Sequence, residues 1–154
     1  MKKSCLFLIM SGVFFSLALS NLSAQSNETL DSFLEQEKAL FGHSAYMILT
    51  AVGSLPDDSS VVEASLALEE SDIQFPSSPA DEPITLGEYS FLIMQALEID
   101  GGLMYRVFPG PRYAARELKY LNFIPGSAGP GRSLSGIEAI QILGRALEWK
   151  EARS

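Results

Sequence analysis

The chain has 154 residues, 47% of them hydrophobic, with a formal net charge of −8, a single cysteine (Cys5) and a single histidine (His43). That length suffices for one ordinary domain with its own core, while the acidic balance argues against nucleic acid, whose phosphates attract basic footprints. One cysteine and one histidine exclude a disulfide framework and a zinc site built on several Cys or His ligands.

Residues 1–24 read as a cleavable signal peptide. Lys2 and Lys3 form a positive start, and Cys5 to Leu19 is apolar apart from small residues such as Ser11, Gly12 and Ser16. The run gives way to Ser20, Asn21 and Ser23 before reaching the about 20 apolar residues of a stable anchor, and the next charge is Glu28. Ala24 places the mature start near Gln25, with Ala18-Leu19-Ser20 as the alternative cut. Cleavage discards Cys5, and the expected product is exported, periplasmic or associated with the cell envelope, and free of integral membrane segments.

Charge divides the rest of the chain. From Gln25 to Asp100 there are fifteen acidic residues and one basic one, Lys38; from Gly101 onward there are four acidic and eight basic residues. The two halves either attract each other within one fold, or Arg106, Arg112, Arg116, Lys119 and Arg132 present a basic face to an anionic partner.

Residues 25–70 form an acidic helical segment, with a longer helix over 30–53 interrupted at Gly42 and a shorter one over 60–70. Residues 71–83, rich in Pro and Ser, read as an exposed connector. Within 84–151, a helix after Thr85 is apolar all round through Phe91-Leu92-Ile93-Met94 and should be the most buried. A helix follows over about 112–123, with Leu121 to Ile124 as a candidate short strand. A last helix after Ser135 should bury Ile137, Ile140, Leu143 and Leu147 and expose Gln141, Arg145 and Glu148. Loops rich in Gly and Pro cover 100–111 and 125–132. Four pairs, Ser32/Glu35, Ser60/Glu63, Thr85/Glu88 and Ser135/Glu138, have the spacing of a capping box. The expected class is all-α: a small bundle of about five helices with helix-loop-helix repeats.

Ile84 to Ile99 aligns without a gap on Leu134 to Trp149, fifty residues later, and a weaker copy starts at Phe41-Gly42. The capped helix from Thr85 to Leu97, Phe108-Pro109, Tyr113-Ala114-Ala115 to Gly126, and Leu134-Ser135-Gly136-Ile137-Glu138-Ala139 to Leu147 together resemble the S-layer homology repeat. The resemblance spans roughly residues 84–150 and implies helical units that assemble in threes and bind cell-wall polymers. Gly136 stands where the family usually places an arginine, and Pro109-Gly110 where it places an aspartate.

Few groups carry reaction chemistry. Gly126 to Ser133 has phosphate-loop spacing, but Arg132 stands in place of lysine and Pro130 lacks an amide. His43 is not followed by a nucleophile turn, and Asp57/Asp58, Glu69/Glu70 and Asp81/Glu82 are adjacent pairs in loops or at helix ends. No catalytic residue, metal site or cofactor is expected. The segment 103–113 mixes aromatics with arginines outside a clear helix, the composition of a recognition surface; the competing view is that Phe108 and Tyr113 plug the core beneath a loop. The candidate binding residues are Tyr105, Arg106, Phe108, Arg112, Tyr113, Arg116 and Arg132. The expected function is a non-enzymatic envelope binding module for a protein partner or a cell-wall polymer, the alternatives being a structural subunit of an envelope assembly or a small hydrolase built on His43.

Overall fold

In a computed structural model, residues 27–153 are described except 72, 74, 76 and 77. The signal-peptide segment lies outside the described residues. The chain is all-α, with seven helices among the described residues: α1 (27–34), α2 (Phe41–Ala51), α3 (Val61–Glu70), α4 (Leu86–Ala96), α5 (Leu103–Val107), α6 (Pro111–Tyr120) and α7 (Gly136–Glu151). None of them is long and apolar enough to cross a membrane.

Local sequence sets most of the boundaries. Ser60 and Thr85 form complete capping boxes, each hydroxyl accepting the amide of Glu63 or Glu88 while that glutamate accepts the cap's own amide. Ser135 accepts from the Glu138 amide, but the Glu138 carboxylate turns to Arg132 instead. Ser32 does not cap anything: it lies inside α1, where the Glu35 amide donates to Asp31 O at 3.2 Å. The long helix expected over 30–53 is two helices, interrupted at 35–40 rather than at Gly42, which is the second residue of α2.

Three helices end alike. At Gly53, Glu98 and Asn122 the backbone is left-handed, with φ of +73°, +50° and +63°. The following amide then reaches back to a helix carbonyl: Ser54 to Leu49, Ile99 to Met94, and Phe123 to Leu118, at 2.8–2.9 Å. This Schellman turn satisfies carbonyls that the helix end leaves open. It also replaces the short strand expected at Leu121–Ile124, because Asn122 turns the chain and drives Phe123 and Ile124 into the core.

The helix starts explain how the units join. Helix α2 donates the amides of Phe41 and Gly42 to Glu82 O and Ala80 O, in the loop that introduces α4. In turn α4 donates from Leu86 and Gly87 to Arg132 O and Pro130 O, in the loop that introduces α7. Helix α7 then donates from Gly136 to Gln36 O, in the loop that introduces α2, so the order closes into a ring. The first amides of a helix lack internal partners and carry its positive dipole end, and a carbonyl from a neighbouring loop serves both. Such a partner explains why Leu40 can stand at the N-cap of α2 with no side-chain cap.

Close approach at these junctions requires glycine. A Cβ on Gly136 would overlap the carbonyl of Phe33, and one on Gly87 would lie 2.9 Å from Pro130 O. Tyr89 crosses the junction and its buried hydroxyl donates to Ala139 O at 2.8 Å, across fifty residues of sequence. Burial pushes the Tyr89 phenol far above its ordinary pKa, so it stays a donor.

Among the described residues one apolar core runs from Phe33 in α1 to Ala146 in α7. Helix α4 is as buried as expected, and α2 matches it, each with eight buried residues. The connector 71–83 is more than a spacer. Phe75 stacks between Phe41 (5.4 Å) and Phe91 (6.3 Å), and Ile73 packs beside the same core. Helix α7 is rotated relative to the expected stripe: Ala139, Ile142, Leu143 and Ala146 are buried, Ile140 and Leu147 are half-buried, and Ile137 is exposed. The two alanines supply little transfer energy but let the helix approach its neighbours, which the larger residues of the stripe would prevent.

Candidate functional site: the surface of α5 and α6

The segment expected as a loop over 103–113 is mostly helical. Gly101-Gly102 ends the turn after α4, residues 103–107 make the single turn of α5, and Pro111 opens α6 with its fixed φ and no amide to leave unpaired. A helix this short has an inner side of one residue. That residue is Tyr105, buried edge-on against Phe91 at 6.2 Å, its hydroxyl accepting from Gln95 Nε2 at 2.8 Å. Burial raises its pKa, opposed by the Gln95 hydrogen bond. Tyr105 therefore anchors α5 and is not part of an outer contact surface.

With Tyr105 inside, the remaining apolar residues of α5 point outward. Leu103 is 73% exposed, Met104 56%, Val107 56% and Phe108 62%, a concentration on six consecutive residues. The Phe108 ring stacks on Tyr113 (6.5 Å between centroids), and the Arg116 guanidinium lies over Tyr113 at 5.8 Å. Tyr113 is half-buried against the core while Phe108 is not, so the two aromatics divide between the roles considered for them. Arg106 lies 3.8 Å from Asp100, with both side chains largely in solvent, and Arg112 is exposed on the first turn of α6.

Other basic residues are engaged with carbonyl or carboxylate oxygens. Arg132 pairs with both carboxylate oxygens of Glu138, whose hydrogen bonds and charge raise its pKa further, and it also donates to Ser127 O and Ser133 O. Lys119 donates to Ile124 O and Gly126 O, and Arg145 to Phe123 O at 3.1 Å. Arg132 is therefore a latch of the loop before α7, and the phosphate-loop lookalike turns carbonyls of Pro130 and Arg132 toward α4. Of the seven candidate residues, Arg106, Phe108, Arg112, Tyr113 and Arg116 remain on the α5–α6 surface. Leu103, Met104 and Val107 join them. The sequence signal for these three was an apolar run too short to bury more than one of its members, and composition alone treated it as a loop.

Two further places lie away from the α5–α6 surface. His43 is half-buried, stacked parallel on Phe33 at 6.2 Å, and its Nδ1 has no hydrogen-bond partner among the described residues. Burial holds its pKa below the ordinary 6.5. An open groove of about 330 Å³, not foreseen from the sequence, lies between α2 and α7, lined by Met47, Thr50, Ala51, Ile140, Leu143, Gly144 and Leu147 with Asp57 at its edge. Its walls are apolar, and the Thr50 hydroxyl donates to Tyr46 O at 2.7 Å. Among the described residues no group of three His, Cys, Asp or Glu side chains is placed to hold a metal ion.

No family model matches the chain, and neither a curated protein nor a solved structure does.

Proposed function

We propose that the protein is an exported, non-enzymatic binding module of the cell envelope whose contact surface is formed by α5 and the first turns of α6. The observation that carries this reading is the four exposed apolar side chains of residues 103–108 beside the Phe108–Tyr113–Arg116 stack. Contiguous exposed apolar side chains with aromatics and arginines are typical of places where binding energy concentrates. In this reading the partner is a protein or a cell-wall polymer.

The same reading takes residues 84–150 as a divergent S-layer-homology-like repeat, supported by the recurrent way in which α2, α4 and α7 start. Because Gly136 has no room for a side chain, wall-polymer binding here would rest on Arg112 and Arg116 rather than on an arginine at that position. The test is retention of the protein on peptidoglycan sacculi, with and without their associated proteins. Replacing Phe108, Arg112 and Arg116 together by Ser should abolish retention while leaving the helical spectrum unchanged; undiminished retention would exclude this surface. An enzymatic activity lost in a folded His43→Ala variant would favour the hydrolase instead.

A further inference from the structure

The α5–α6 surface also carries information about what it meets. From Leu103 to Phe108 the only polar groups are the Tyr105 hydroxyl, which is engaged with Gln95, and the Arg106 guanidinium. The side chains of Leu103, Met104, Val107 and Phe108 offer no hydrogen bond, so this part of the surface attaches by apolar area alone. Between Gly101 and Arg116 there are three arginines and no acidic residue, in a chain of net charge −8. The acidic residues that flank this stretch in sequence are Asp100, beside Arg106, and Glu117, whose carboxylate lies close to Gly102.

We infer that this surface docks on the anionic face of a lipid bilayer: Leu103, Met104, Val107 and Phe108 enter the headgroup boundary while Arg106, Arg112 and Arg116 meet lipid phosphates. The inference rests on the reading of α5–α6 as the contact surface and goes beyond it by naming a lipid surface that would hold the module in the envelope. Interfacial attachment needs only apolar area and positive charge on one side, with no shaped receptor. The Arg106–Asp100 pair is exposed and longer than a hydrogen bond, so Arg106 can exchange it for a phosphate at small cost. The acidic half of the chain would be repelled by the same membrane, which orients the molecule with α5 downward.

The experiment places a reporter at the tip itself, because the N-terminal leader could carry the full chain to a membrane unaided. In a full-length Trp149→Phe chain, Phe108→Trp makes residue 108 the only tryptophan. Vesicles of phosphatidylcholine, with or without phosphatidylglycerol, carry brominated acyl chains that quench indole on contact. The expected result is a blue shift and quenching of Trp emission with the anionic vesicles, weakened by salt and reduced about fivefold in partitioning for each of Arg112→Gln and Arg116→Gln. Co-sedimentation without quenching would overturn the inference, since attachment would then lie elsewhere. Unchanged emission with vesicles, but a shift on adding sacculi or envelope proteins, would overturn it while leaving the surface reading standing. No response to any of the three would remove both.

Discussion

Two regions of this molecule treat short peptide segments in opposite ways. Where α2, α4 and α7 begin, the amides of Phe41, Gly42, Leu86, Gly87 and Gly136 each meet a carbonyl from the loop before another helix, and glycine stands where a side chain would intrude. At the α5–α6 tip, four large apolar side chains face solvent and Arg112 extends from an exposed position. Changes at the junctions should therefore be felt as stability and changes at the tip as binding.

The largest effect is expected at Gly136. Alanine there drives a methyl group into the Phe33 carbonyl, and the forced separation of α1 from α7 should cost about 3 kcal/mol in urea denaturation. Tyr89→Phe removes one buried hydrogen bond to a carbonyl within helix α7 and should cost about 1 kcal/mol by the same measurement. Glu98→Gly works in the other direction: it relieves a left-handed backbone at φ +50° on an exposed residue, and a gain of about 0.5–1 kcal/mol is expected. A loss on that substitution would mean that the α4 turn depends on the Glu98 side chain.

His43 gives a pH signature. Because burial holds its folded-state pKa below 6.5, the unfolded chain takes up the proton first, so its contribution is complete above 6.5 and is lost as pH falls below that value. His43→Phe keeps the ring stacked on Phe33 and should flatten this part of the stability–pH curve, read from melting midpoints in matched buffers. The smallest effect belongs to the tip, where Leu103→Ser with Phe108→Ser should leave stability within about 0.5 kcal/mol. A loss of several times that size would mean that these residues pack in the fold.

How much of this was legible in the sequence follows from the range of the forces involved. Capping at Ser60 and Thr85 acts over three residues, and those helices start where the local pattern places them. Helices α4 and α7 begin in related ways, each donating first-turn amides to the loop before another helix. The missed features depend on partners distant in sequence. The break at 35–40 is held by Gln36 O receiving the Gly136 amide and by the Ala39 amide donating to Leu134 O, and neither leaves a local mark. The turn of α7 toward Ala139 and Ala146 reflects how closely a neighbour can approach, which hydrophobicity does not rank. At the tip, the aromatic and basic composition of 103–113 was readable. The assignment of Tyr105 to the inside and Leu103 to the outside required α5 to exist as a helix.

Amide hydrogen exchange compares the two regions in a single sample. The amides of Gly42, Gly87 and Gly136 should exchange only with global unfolding, because each is held by a different loop of the closed ring, whereas those of Arg106 in the single turn of α5 and Phe108 at its end should exchange orders of magnitude faster. Gly136 exchanging as fast as Arg106 would contradict the ring, and with it the division of the molecule into a structural junction and a free surface.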